Sequence, residues 1–119
     1  MRNFREIRVW KLGIKLTKEI YKISQKLPKS EKYGLCSQMQ RSGVSVPSNI
    51  AEGASRSSEK DFCRFLEIAL GSAFEVETQL IIGKELNFLP DAGFNKILSE
   101  LHSIQKQINS LISVIRKGQ

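Results

Sequence analysis

His102 and Glu100 come nearest to a metal-binding pattern in this sequence. Carboxylate-bridged metal sites in helical bundles use Glu and His three positions apart, together with glutamates from other helices. Here the one histidine of the chain stands two positions from Glu100, which places the two side chains on different faces of a helix. We therefore expect no metal ion and no cofactor, and we expect His102 to lie on the surface.

The sequence also lacks a set of residues suited to nucleophilic catalysis. Neither Cys36 nor Cys63 can be matched with a histidine, and no serine stands in an elbow motif. Glu75 and Glu77 cannot share one helix face, and no glycine-rich phosphate-binding motif is present. We expect no catalytic residue, no small-molecule substrate and no enzyme, with both cysteines acting as small reduced residues.

The remaining chemistry is electrostatic, because basic residues concentrate in one half of the chain. Residues 1–58 hold 12 Lys or Arg against 4 Asp or Glu, a net +8, whereas residues 59–119 hold 7 against 8, a net −1. Such asymmetry favours a polyanionic partner such as nucleic acid. Six of these residues recur every three or four positions and form what we call the basic stripe: Arg8, Lys11, Lys15, Lys18, Lys22 and Lys26.

Three short breaks divide the chain into four stretches with helical periodicity. The breaks are "LPKS" at 27–30, "GASRSS" at 53–58 and "LNFLP" at 86–90. Helices are expected at about 5–26, 31–53, 59–86 and 91–116, with Ser30, Ser58 and Pro90 as start signals. Short connections make successive helices antiparallel, so we expect an all-α fold in which residues 1–119 form a single up-down-up-down four-helix bundle domain.

Pro47 lies inside the second of these helices. Proline removes one backbone hydrogen bond, so this helix is expected to kink near Pro47. A break into two short helices is the alternative.

No apolar run is long enough to span a membrane. The charged N-terminal "MRNFREIRVW" lacks a secretory stretch, so a cytoplasmic protein without membrane contact is expected.

Two helices carry more apolar residues than one core face needs. At about 100° per residue, helix 1 has its core face, the basic stripe and a further apolar stripe, and helix 3 has a similar surplus beside its core face. These second stripes predict a surface for self-association; a wider core is the alternative. Their members are Ile7, Trp10, Ile14 and Tyr21 in helix 1, and Cys63, Leu70, Phe74 and Ile81 in helix 3.

Six segments of the sequence follow the pattern of a known family: "VW" at 9–10, "YGL" at 33–35, "SQMQRSGVSVPSNIAEG" at 37–53, "DF" at 61–62, "FLEIALGS" at 65–72 and "VETQL" at 76–80. Through them, most of the sequence resembles the bacterial four-helix bundle proteins encoded within intervening sequences of 23S rRNA genes. Cys36 and Gly43 depart from this pattern, where threonine and alanine are usual.

The resemblance implies an up-down-up-down bundle that assembles into a five-membered ring. A more distant relative is the accessory variability protein of diversity-generating retroelements. That protein is a basic pentameric barrel that binds nucleic acid and partners a reverse transcriptase. No biochemical role is established for the intervening-sequence proteins themselves, so the resemblance to them implies none.

We therefore expect a homo-oligomer, a pentamer by resemblance, that binds RNA or DNA without sequence preference and assists a nucleic-acid enzyme such as a reverse transcriptase. The basic stripe would contact phosphates, with Arg41 and Arg56 as weaker candidates. Trp10 and Tyr21 lie on another side of helix 1, which argues against base stacking there. The alternatives are a protein scaffold without a nucleic-acid role and a selfish-element passenger without a host function.

Overall fold

The computed structural model describes residues 2–118, and its regular structure is helical. Four α-helices are present: α1 (Arg8–Ser24), α2 (Leu35–Ala54), α3 (Glu59–Glu85) and α4 (Phe94–Lys117). Two single-turn 3₁₀ helices, Phe4–Glu6 and Lys29–Glu31, precede α1 and α2. Within the described residues, no helix is both long enough and apolar enough to cross a membrane.

The helices enclose one elongated core. Each packs against its neighbours in sequence, and α1 also packs against α4. The molecule measures 46 × 24 × 19 Å, so its long axis is set by α3, whose 27 residues span about 40 Å. The predicted all-α four-helix bundle is confirmed. The core face predicted for helix 1 is buried except at Leu12, which is half-buried; its members are Val9, Leu12, Leu16, Ile20, Ile23 and Leu27.

Pro47 does not break α2, which runs unbroken from Leu35 to Ala54 as predicted. A proline at this position leaves the Gly43 carbonyl without its usual backbone donor. The Thr17 hydroxyl of α1 lies 2.9 Å from the Gly43 carbonyl and 2.8 Å from the Gly13 carbonyl of α1. It therefore shares its single proton between these two acceptors. Because Gly13 has no side chain, the Pro47 ring packs directly on α1. The pair of helices thereby replaces the bond that proline removes.

Close packing between α2 and α3 depends on Gly53. A Cβ atom there would lie 2.7 Å from the Phe65 Cβ and 3.0 Å from the Phe62 ring, which is closer than carbon atoms approach. The same seam carries a hydrogen bond of 2.8 Å between the hydroxyls of Ser45 and Ser72. The α2–α3 contact is therefore too tight for a larger side chain at position 53.

Helix starts differ from expectation at three of the four helices. Only Ser58 acts as predicted, since its hydroxyl accepts a hydrogen bond of 3.1 Å from the Asp61 N–H. Ser30 and Pro90 begin no α-helix: α2 begins after Gly34, and α4 begins after Gly93, whose φ of 81° ends the preceding turn. A 3₁₀ helix occupies residues 4–6, so α1 also begins later than expected.

Candidate nucleic-acid interface

All six side chains of the basic stripe are exposed to solvent. Five of them belong to α1, whose 17 residues span about 25 Å, and Lys26 continues the line just beyond the end of the helix. The helical period keeps them on one side because the apolar residues between them point into the core. The basic stripe is therefore a continuous charged surface along the bundle.

Carboxylates leave most of this surface unneutralised. Among residues 2–118, one member of the stripe has an acidic partner within 4.0 Å: the Lys15 ammonium lies 3.6 Å from the Glu100 carboxylate. Of the thirteen Lys and Arg outside the stripe, five form ion pairs with neighbouring carboxylates, which is a larger share than in the stripe: Arg2, Arg56, Arg64, Lys84 and Arg116.

The two weaker candidates do not join the stripe. Arg56 follows α2, where its guanidinium donates to the Glu52 carboxylate at 2.8 Å and stacks over the Phe65 ring at 4.7 Å. Arg41 is exposed, but it stands on α2 rather than α1. The structure therefore brings the six predicted residues of 8–26 together and leaves these two arginines apart.

Lys96 extends the charged surface from a second helix. A cleft of 340 Å³ between the end of α1 and the start of α4 is lined by Lys22, Lys26 and Lys96. The first turn of α4 also directs its free backbone N–H groups towards this end of the bundle, which adds positive potential. The period of α1 could not reveal Lys96, but the antiparallel arrangement of α1 and α4 could have.

Glu19 and Glu100 meet beneath the stripe where α1 packs on α4. One oxygen of each carboxyl is buried without a hydrogen-bond partner among the described residues. Burial raises the pKa of Glu19, and a hydrogen bond with Glu100 and the charge of that residue raise it further. Lys96 and Lys15 oppose this shift. Glu19 thus holds its proton more strongly than an isolated glutamate would.

The predicted second stripes are partly exposed. Ile14 and Tyr21 on α1 are each 41% exposed, and Phe74 and Ile81 on α3 are 48% and 40% exposed. Their partners Ile7, Trp10 and Leu70 are half-buried against the core.

Cys63 differs from the other members of the second stripes, because it is buried in the core with 4% exposure. It lines the same groove as Glu67 and Arg116, whose ion pair joins the end of α4 to this part of α3. Cys63 therefore offers little surface of its own to a second copy.

Two different apolar surfaces result from these stripes. The first is a groove of 370 Å³ between α1 and α2, where Val44 adds to Trp10 and Ile14. The second is the exposed stripe of Phe74 and Ile81 on α3. Ile68, Ile82 and Leu86 are exposed as well, but at about 100° per residue they lie on other sides of the helix. Sequence reasoning missed these four residues because a stripe drawn on one helix does not show how far neighbouring helices leave its flank open.

The residues first considered for chemistry have structural contacts. His102 is exposed, and its Nε2 lies 3.3 Å from the Glu77 carboxylate. The same carboxylate accepts a hydrogen bond of 2.8 Å from the Gln105 amide, and these two contacts hold the pKa of Glu77 below its ordinary value. They join α3 to α4. Among residues 2–118, no three His, Cys, Asp or Glu side chains are placed to hold a metal ion.

Known proteins with this sequence pattern share the fold. A family model described as 23S rRNA-intervening sequence protein matches residues 5–110. A crystal structure of a protein with unknown function, from the S23 ribosomal protein family of Bacteroides thetaiotaomicron, has a TM-score of 0.81 and 26% identity, covering 88% of this chain and 95% of that one. No curated protein matches the sequence. Because the family model covers most of the chain, the protein belongs to the 23S rRNA-intervening sequence protein family.

Proposed function

We propose that this protein is a homo-oligomeric accessory protein that binds RNA or DNA through the phosphate backbone, without sequence preference. The observation that carries the proposal is the basic stripe. Five of its six cations have no carboxylate partner among the described residues, whereas five of the thirteen Lys and Arg elsewhere form ion pairs. Like charges held along one line without partners lower the free energy of a polyanion that lies against them.

The dimensions of the stripe fit a nucleic-acid backbone. One strand of a duplex carries a phosphate about every 3.4 Å along the axis, so the roughly 25 Å of α1 runs beside about seven phosphates. Lysine, which supplies five of the six cations, is a mobile point charge rather than a fixed fork that reads a base edge. Contacts of this kind give affinity and position, and they do not distinguish sequences.

Self-association would multiply this surface. The two exposed apolar surfaces, the α1–α2 groove and the outside of α3, differ in shape and residues, so a contact between them is heterologous and can close into a ring. We propose a ring of five copies, with a formal net charge of about +35 from +7 per chain. Such a particle would present the basic stripe five times and hold nucleic acid for an enzyme such as a reverse transcriptase.

Binding measured against salt tests this proposal. Five to six phosphate contacts give a slope of log affinity against log salt of about −5 for duplex DNA. The measurement is the dissociation constant of a labelled 20-base-pair duplex, and of its RNA equivalent, between 50 and 200 mM salt. Weak binding with a flat salt response would refute the proposal.

A second candidate function is a scaffold that docks another protein, and the exposed apolar residues on more than one side of α3 favour it. In that case the basic stripe serves solubility. A defined protein partner that co-purifies after nuclease treatment, together with a flat salt response, would favour the scaffold. Loss of every partner on nuclease treatment would favour nucleic acid.

A further inference from the structure

Tyr33 stands out of the turn between α1 and α2 with 88% of its surface exposed, more than any other large apolar or aromatic side chain of the described residues. Its one aromatic contact is local: the Lys32 ammonium lies 5.4 Å from the ring centre. Burying an aromatic ring is strongly favourable, and the ring face away from Lys32 is free for a partner.

A cleft opens beside this ring. Its volume is 630 Å³, within the roughly 300–1,000 Å³ typical of small-ligand sites. Leu27 and Pro28 supply apolar lining, Gln25 and Ser37 supply polar groups, and no acidic residue lines it. The acid of the turn, Glu31, is engaged elsewhere, since its carboxylate accepts a hydrogen bond of 3.2 Å from the Leu35 N–H.

Charge in this turn favours an anionic occupant. Lys29 and Lys32 line the cleft, and they follow directly on Lys22 and Lys26 at the end of the basic stripe. A strand that lies along α1 would therefore meet the turn as its next positive surface. An exposed aromatic ring beside lysines is the combination on which proteins stack single-stranded bases, because every base has a π-face and a neighbouring phosphate.

We propose that the turn between α1 and α2, residues 25–34, holds one unpaired nucleotide, with its base stacked on Tyr33 and its flanking phosphates against Lys29 and Lys32. The inference rests on the proposed nucleic-acid binding and deepens it. It adds a preference for nucleic acid with an unpaired end or loop over a blunt duplex. We expect no preference for one base over another, because any base can stack on an aromatic ring.

Two hairpins that differ in one feature test the inference. One is blunt, and the other carries a four-nucleotide overhang with fluorescent 2-aminopurine as an unpaired base. The wild-type protein is expected to bind the overhang hairpin more tightly and to quench the fluorescence. Tyr33→Ala should weaken binding of the overhang hairpin roughly five- to 150-fold, which is the range for loss of one base stack, and leave the blunt hairpin unchanged.

Matched variants separate stacking from other roles. Tyr33→Phe keeps the ring and should retain both the preference and the quenching, and His102→Ala removes an exposed ring elsewhere and should change neither. If wild type and Tyr33→Ala bind both hairpins equally, the inference is wrong and the backbone-binding proposal stands. If wild type binds neither hairpin, both proposals fail. A lower native mass for Tyr33→Ala would show that a second copy covers the ring, and this would also overturn the inference.

Discussion

Reversing two charges in the basic stripe should reduce nucleic-acid binding far more than its effect on the fold can explain. Lys11 and Lys18 lie two turns apart on α1, both are exposed, and neither has a carboxylate within 4.0 Å among the described residues. Glutamate has nearly the helix propensity of lysine, so Lys11→Glu plus Lys18→Glu should leave the helix intact. The substitution removes two phosphate contacts and places two repulsive charges against the backbone.

The magnitude follows from counterion release. Each phosphate contact contributes about 0.9 to the slope of log affinity against log salt, so five unpaired cations give a slope near −4.5. Between 50 and 200 mM salt, the wild type should lose roughly 500-fold in affinity. Removing two contacts should flatten the slope by about 1.8. If both proteins are taken to bind equally at about 1 M salt, this change of slope weakens binding about 200-fold at 50 mM salt.

Fluorescence anisotropy with a labelled duplex measures both quantities. The control is Lys60→Glu plus Lys106→Glu, which makes the same change in net charge at exposed positions on α3 and α4. The control should keep a slope near that of the wild type. Equal losses for the two double variants would mean that net charge alone attracts the duplex, and an unchanged slope for Lys11→Glu plus Lys18→Glu would refute the assignment of the basic stripe.

Four further substitutions test the fold and the subunit contact. Thr17→Val leaves the carbonyl opposite Pro47 without a donor and should lower the free energy of unfolding by about 1–3 kcal/mol; the loss should shrink in a Pro47→Ala background, where alanine restores the N–H. Gly53→Ala should cost about 1–3 kcal/mol through overpacking, measured by urea denaturation. Glu19→Gln should raise stability at pH 7 by about 1 kcal/mol, because the amide needs no proton to remain neutral. Ile14→Asp should lower the native mass by opening the α1–α2 groove contact.

Three of these substitutions have a matched control variant. Thr17→Ser keeps the hydroxyl and should retain most of the stability, and Gly71→Ala, whose added Cβ meets nothing within 4 Å, should be neutral or stabilising. Val114→Asp alters a residue that is already 67% exposed on α4 and should leave the mass unchanged. An equal loss for the two glycine variants, or an equal drop in mass for the two aspartate variants, would contradict the packing and contact assignments.

The pH dependence of the Glu19 effect has a defined sign. A carboxyl whose pKa is raised on folding binds more protons in the folded state, so its favourable contribution is complete below its ordinary pKa of 4.5 and is lost as pH rises through the raised value. The advantage of Glu19→Gln should therefore be present at pH 7 and vanish below about pH 4.5. An advantage that does not change with pH would show that Glu19 carries no such proton.

The periodicity of the sequence predicted the features that depend on a single helix, namely its position in the chain and the side of it that faces solvent. The four helices and the exposure of all six basic residues follow from a 3.6-residue pattern in which charged and apolar positions are cleanly separated. Cys63 shows the limit of this argument, since it shares a helix face with the exposed Ile81 and yet is covered by the end of α4. Angle around a helix does not reveal how far the neighbouring helix extends.

The periodicity of the sequence could not predict the turns or the contacts between helices, because neither depends on the spacing of residues within one helix. The starts of α2 and α4 depend on backbone geometry at Gly34 and Gly93, and the latter has a positive φ that no spacing of apolar residues signals. Lys96 joins the charged surface only because α4 starts where α1 ends. Tyr33 lies in a turn, where no period tells an exposed ring from a packed one.

Native mass measured together with the ratio of absorbance at 260 and 280 nm, on protein purified at low salt, tells an oligomer with bound nucleic acid from a bare monomer. We expect a mass several times 13.5 kDa and an absorbance ratio raised by bound nucleic acid, and high salt should remove both the nucleic acid and the excess absorbance. A particle of 13.5 kDa with the absorbance ratio of protein alone would contradict this expectation.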